Sequence, residues 1–166
     1  MTQSIHIKDT VFSLETPQVM GILNVTPDSF SDGGKYNSLE AALLQAKKMQ
    51  SEGADILDIG GYSSRPGADE VSTQEELDRV IPVVEKLISE MNVILSVDTF
   101  RSTVAAEAIA AGAHIVNDIS AGDDDDKMIS TVAELGVPYI AMHKKGLPQT
   151  MQHNPEYGDV VKEVYH

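Results

Sequence analysis

Val93-Ile94-Leu95-Ser96-Val97-Asp98-Thr99 is the stretch on which the architecture turns. Aliphatic residues with a single serine run together and stop at a carboxylate and a hydroxyl. A strand with one wet face would alternate apolar and polar residues, so a near-continuous run predicts a strand covered on both faces, as in a parallel sheet. The next residues change period. Val104, Ala105, Ala108 and Ile109 recur at helical spacing and end at Gly112, after which Ile115-Val116 starts another apolar run. Strand, helix and strand in this order give two parallel strands joined by a crossover.

The same unit recurs on both sides. Val19-Met20-Gly21-Ile22-Leu23, Ile56-Leu57-Asp58-Ile59 and Val137-Pro138-Tyr139-Ile140-Ala141 are the other runs. Leu39, Leu43, Ala46 and Met49 lead to Gly53, and Met128, Ile129, Val132 and Leu135 lead to Gly136, each as an apolar stripe with a stop signal. Thr73-Gln74-Glu75-Glu76 reads as a capping box ahead of Leu77, Val80, Ile81, Val84 and Leu87, with a kink expected at Pro82. Ile5 to Leu14 reads as a small hairpin around Lys8-Asp9, and residues 143–153 as a polar loop. Asn154 and Pro155 look like the cap and first turn of a last helix through Val164. The expected fold is thus α/β with five strands and crossover helices, in a single domain over residues 1–166.

Composition narrows the function. Of 166 residues 42% are apolar, enough for a packed core. Twelve basic residues against 26 acidic ones give a net charge of −14, which repels phosphate backbones and anionic lipid, so neither nucleic acid nor a membrane is an expected partner. With no cysteine, disulfides, thiolate metal sites and a cysteine nucleophile are excluded. No run approaches the roughly 18 apolar residues of a spanning helix, and Met1 to Glu15 hold no hydrophobic signal core. A soluble, cytoplasmic protein is expected.

In parallel α/β folds the working loops follow the carboxyl ends of the strands. Here those ends carry Asn24, Asp58 with Gly60-Gly61, Asp98-Thr99, Asn117-Asp118 and Met142-His143. Such groups also cap the following helix, so each alone has a plain structural reading. Two loops add to the set: Thr26-Pro27-Asp28-Ser29-Phe30-Ser31-Asp32-Gly33-Gly34-Lys35-Tyr36, polar with an aromatic, and Ser63-Ser64-Arg65-Pro66-Gly67-Ala68-Asp69, whose Arg65 suits forked contact with phosphate or carboxylate. The histidines at 6, 114, 143, 153 and 166 have no metal-ligand spacing. Asp123 to Asp126 reads as carboxylates complementing a helix N-terminus. Arg101 reads as pairing within the start of its own helix.

Taken together, the stretches Met20 to Gly34, Asp58 to Gly67, Ser96-Val97-Asp98-Thr99, Val116-Asn117-Asp118-Ile119 and Met142-His143 resemble the signatures of the dihydropteroate synthase family in order and approximate spacing. The resemblance covers residues 5–166. It implies a TIM (β/α)8 barrel, of which five units are present here. It also implies a reaction in which p-aminobenzoate condenses with a dihydropterin pyrophosphate. On these terms Asp98 and Asn117 read the pterin edge, Asn24 supplies a carbonyl oxygen to Mg²⁺, Ser64 and Arg65 hold the pyrophosphate, Phe30 and Pro66 form the p-aminobenzoate pocket, and Met142 touches the pterin. Ser64 stands where the family often has Thr, and Tyr62 where Glu is more usual.

Such a barrel takes about 250 residues, so the expectation is a piece of a longer enzyme, or a barrel completed by another chain. The family's remaining Asp, Lys, Arg and His site residues would lie beyond His166, and a homodimer is implied for the full-length enzyme. Two other readings remain open. One is a pterin-dependent methyltransferase domain, which gives no reason for the anion-binding loops. The other is a non-catalytic pterin-binding fragment.

Overall fold

The computed structural model describes residues 4–7, 10–26, 34–62, 71–146, 151 and 155–165. An antiparallel hairpin comes first, β1 (Ser4–Ile7) with β2 (Thr10–Ser13). Five parallel strands then lie side by side in chain order: β3 (Met20–Asn24), β4 (Ile56–Gly60), β5 (Ile94–Asp98), β6 (Ile115–Asp118) and β7 (Tyr139–Ala141). Between them run α1 (Gly34–Ser51), α2 (Thr73–Glu90), α3 (Ser102–Ala111) and α4 (Met128–Leu135), and α5 (Val160–Tyr165) follows. The hairpin and all five expected strands form. Sequential order with a helix in each crossover is the winding of a TIM barrel, here five of its eight units.

The two faces of the sheet do different work. Leu23, Leu57, Ile59, Leu95, Val97 and Val116 are buried under the apolar stripes of the helices. On the other face, Ile56 and Ile115 meet Ile7 of the hairpin, with Ile5, Phe12, Met20 and Ile94 around them. The hairpin therefore plugs the amino-terminal end of the inner face with hydrocarbon, and leaves polar side chains to the carboxyl end.

Five local expectations shift. The cap of α2 is Ser72, not Thr73: the Ser72 hydroxyl accepts from Glu75 N at 3.2 Å, and the Glu75 carboxylate accepts from Ser72 N at 2.9 Å. Asp125 serves two helices: one carboxylate oxygen accepts from Lys127 N, the cap position of α4, at 2.9 Å, and the other from Ser102 N at 2.7 Å, so that it also caps α3. Arg101 pairs with Glu76 of α2 rather than within its own helix. The terminal helix begins at Val160, where Asp159 accepts from Lys162 N at 3.2 Å; Pro155 lies ahead of it, and Asn154 is outside the described residues. At the other end of the chain, α1 already begins at Gly34, inside the stretch read as a loop. Helix α2 runs continuously through Pro82.

Gly61 is a packing requirement. A Cβ there would lie 2.6 Å from Val80 Cγ2, closer than real contacts allow, and a tight 3.3 Å from the Glu76 carbonyl. Gly61→Ala is expected to lower stability by about 1–3 kcal/mol, the usual cost of overpacking, as measured by urea denaturation. An unchanged midpoint would show that α2 can move aside at no cost.

Candidate functional site

Register brings the polar strand ends into line. Asn24 sits opposite Gly60, Gly60 opposite Asp98, Asp98 opposite Asn117, and Asn117 opposite Ile140. This row crosses all five strands on the face away from Leu23, Ile59, Val97 and Val116, because side chains alternate along a strand. Gly60 is the one member without a side chain. A Cβ there would lie 3.3 Å from Asp98 Oδ2 and 3.4 Å from Asn24 Oδ1. The Asp98 carboxylate and the Asn24 amide thus close over Gly60 from either side.

One layer below, Ile22, Asp58, Ser96 and Ile115 form a second row. Asp58 and Ser96 are buried. Asn117 Nδ2 donates to Asp58 Oδ2 at 2.9 Å, joining β6 to β4 across the intervening β5. The small Ser96 on β5 leaves room for that crossing, as Gly60 does one layer above. Two buried atoms of this floor, Asp58 Oδ1 and Ser96 Oγ, have no hydrogen-bond partner among the described residues. The Ser96 hydroxyl is near enough to favour the Asp58 anion without meeting bonding geometry.

The electrostatics are unusual for a row of acids. Burial pushes the Asp98 carboxyl up to about 7, and the neighbouring charges of Asp58, Glu76 and Asp118 add to the shift. Burial also raises Asp58, opposed by the Ser96 hydroxyl and the Asn117 amide. No hydrogen bond to the Asp98 carboxylate is made among the described residues, so it is an acceptor held ready in a poorly solvated place. Asp118 differs. It faces the helices, takes Ser120 N and Oγ on one oxygen, and takes Gly122 N and the Tyr139 hydroxyl on the other. That carboxylate is satisfied and shapes the turn after β6.

Asn24, Asp98 and Asn117 therefore come together. Met142 is partly buried just past β7; its N–H donates to the Asp118 carbonyl at 3.0 Å, which puts it one pleat beyond Ile140 on the same face. Phe30, Ser64, Arg65 and Pro66 lie outside the described residues. The flanks of 63–70 are held from α2 and the start of α3. Arg79 Nη1 donates to the Gly61 carbonyl at 3.1 Å, and Arg101 Nη2 to the Val71 carbonyl at 2.6 Å. Arg101 also lies 4.7 Å over the Phe100 ring, whose edge meets Tyr62 at 5.1 Å between centroids. Of the described histidines, His114 Nδ1 accepts from Leu95 N at 3.1 Å, and exposed His143 leans on Tyr157.

The signal for Asp58, Gly60 and Ser96 was weaker in the sequence. Asp58 was visible as a polar residue inside an apolar strand, but its partner is 59 positions away. Chemically, the assembled site offers hard oxygen acceptors and an amide at one rim, suited to a flat ring with N–H groups on its edge. Among the described residues no group of three or more His, Asp or Glu is placed to hold a metal ion. A metal would draw on the Asn24 carbonyl oxygen and take most of its shell from ligand and water, which fits Mg²⁺.

Comparison with known proteins agrees with this geometry. The pterin binding enzyme family matches residues 20–166. Bacillus subtilis dihydropteroate synthase is 57% identical over 145 residues, 87% of this chain and 51% of that protein. The crystal structure of Yersinia pestis dihydropteroate synthase with a sulfonamide drug complex superposes with a TM-score of 0.87 at 49% identity, over 98% of this chain and 59% of that one. Xanthomonas albilineans dihydropteroate synthase with 4-aminobenzoic acid gives 0.86 at 45%, over 99% and 58%. The chain spans about half the length of these relatives. With the family pattern covering everything from β3 onward, the chain belongs to the pterin binding enzyme family.

Proposed function

We propose that the chain supplies the pterin-reading strand ends of a dihydropteroate synthase, which joins p-aminobenzoate to 6-hydroxymethyl-7,8-dihydropterin pyrophosphate and releases pyrophosphate in folate biosynthesis. The observation that carries the reading is the row Asn24–Gly60–Asp98–Asn117, with two side chains leaning together over a glycine. Asp98 accepts N–H groups from the ring edge, and Asn117 fixes the ring's other polar groups. A ring lacking them leaves buried groups unpaired, which gives strong discrimination. Ser64 and Arg65 hold the pyrophosphate, Phe30 and Pro66 the p-aminobenzoate, and Met142 packs on the pterin. The neutral aryl amine attacks the exocyclic methylene carbon, a C–N bond forms, the C–O bond to pyrophosphate breaks, and the amine gives up a proton. Asn24 would hold Mg²⁺, which would supply charge neutralisation for the leaving pyrophosphate. The reading includes inhibition by sulfonamides in competition with p-aminobenzoate. It also includes a cytoplasmic setting, supported by the lack of cysteine, and a homodimer of the full-length enzyme, which rests on the family resemblance. No helix among the described residues is long and apolar enough to cross a membrane.

Calorimetry with the dihydropterin pyrophosphate tests this. Saturable binding is expected, weakened about tenfold or more when Mg²⁺ is chelated. Binding that ignores Mg²⁺ would remove Asn24 from metal holding. Methyl transfer from methyltetrahydrofolate would assign the chain to the methyltransferase branch instead.

A further inference from the structure

Beneath the ligand-facing row lies a buried carboxylate to which the mechanism above gives no role. Asp58 is 3% exposed, sits in the middle of the otherwise apolar strand β4, and is raised by burial, so its presence there is not accounted for by stability. Its one side-chain hydrogen bond among the described residues that meets bonding geometry is the 2.9 Å contact from Asn117 Nδ2. An ionised carboxylate has acceptors only, so it dictates which end of a terminal amide turns toward it. The Asn117 nitrogen must face the floor, and its carbonyl Oδ1 must face away, toward the open side of the row where Asn117 is partly exposed.

We propose that Asp58 is a positioning residue that fixes the Asn117 amide one way round, so that a bound ring always meets the carbonyl oxygen. Ser96 serves the same end by being small: a bulkier side chain on β5 would stand between Asp58 and Asn117, which belong to strands that are not neighbours. The amide of an isolated asparagine is nearly symmetric in shape, and a flip exchanges a donor for an acceptor at no steric cost. A pocket that reads donors and acceptors needs that freedom removed. The inference deepens the pterin reading and rests on it for the identity of the ring, but not for the orientation of the amide.

The test uses the full chain, its Asp58→Asn variant and the Asp58→Asn/Asn117→Asp exchange. In the free wild-type protein, NMR should find the Asn117 side-chain NH2 protected from solvent exchange, and Asp58→Asn should abolish that protection. With 6-hydroxymethylpterin as probe, Asp58→Asn should bind about twofold more weakly, because the amide now samples both orientations and only about half the molecules present the carbonyl. The exchange variant should recover most of the loss. Its floor amide, now at position 58, donates to the carboxylate now at position 117, and that carboxylate again offers the ring an oxygen. A purely structural role would lower the stability of Asp58→Asn and leave the pterin affinity of the folded protein unchanged. Unchanged affinity in Asp58→Asn, or an exchange variant no better than the single one, would overturn the proposal. If the wild type shows no saturable pterin binding, the pterin reading fails, and the amide measurement alone decides the positioning: an unprotected Asn117 NH2 in the wild type overturns it.

Discussion

Asp98→Asn is expected to stabilise the folded protein at pH 8 and to weaken pterin binding about 100-fold. The two effects have one origin. The Asp98 carboxyl rises from 3.8 to about 7 because it is buried and stands beside Asp58, Glu76 and Asp118. A group whose folded pKa lies above its unfolded value binds its proton more tightly when folded. Its contribution is therefore favourable below about pH 4 and is lost as pH climbs through about 7. The full shift corresponds to about 4 kcal/mol, and partial exposure of the side chain reduces this to about 2–3 kcal/mol. Asparagine removes the charge and with it the pH dependence, so the variant should gain stability at pH 8 and little at pH 4. In binding, one acceptor becomes a donor facing ring N–H groups, which leaves two donors opposed. Urea denaturation at the two pH values, with calorimetry alongside, reads both. A variant less stable at pH 8, or one that binds as tightly as the wild type, would show that Asp98 is not the unsolvated acceptor of the site.

Arg101→Ala is expected to cost about 3–5 kcal/mol, the range found when a buried ion pair loses one partner. Glu76 is fully buried, its Oε2 is paired with Arg101, and its Oε1 has no partner among the described residues. Without the guanidinium an uncompensated carboxylate remains inside α2. The same arginine holds the Val71 carbonyl and covers Phe100, so both contacts go with it. The double variant Glu76→Leu/Arg101→Met should recover most of the stability, because it removes the buried charge rather than orphaning it. Thermal unfolding of the single and double variants checks this. A double variant no better than Arg101→Ala would mean that the bond to Val71, and not the ion pair, carries the energy.

These residues also show what a sequence can and cannot reveal. The strands were legible because burial on both faces selects continuous apolar runs, and the helices because one wet face selects a 3.6-residue period. That Asn24, Asp98 and Asn117 stand at or next to the ends of their strands was legible as well. Their meeting in one row was not, because it depends on register: β6 pairs so that Asn117, its third residue, faces Asp98, the last residue of β5. Gly60 and Ser96 matter for what they lack, and a missing side chain leaves no pattern to read. Ser72-Thr73-Gln74-Glu75-Glu76 contains two overlapping capping boxes. Local chemistry cannot choose between them. The choice falls to Arg101, 25 residues away, which takes Glu76 into the interior and leaves Glu75 to Ser72. The bond of Asp125 to the preceding helix escaped for the same reason, since Ser102 lies 23 residues back.

Residue-resolved NMR of the chain titrated with 6-hydroxymethylpterin is the most direct test of the central claim. Saturable shifts should concentrate at Asn24, Gly60, Asp98 and Asn117, with the opposite end around Ile7, Ile56 and Ile115 unmoved. Shifts centred on that hydrophobic end, or none that saturate, would contradict the assignment of these strand tips as a pterin site.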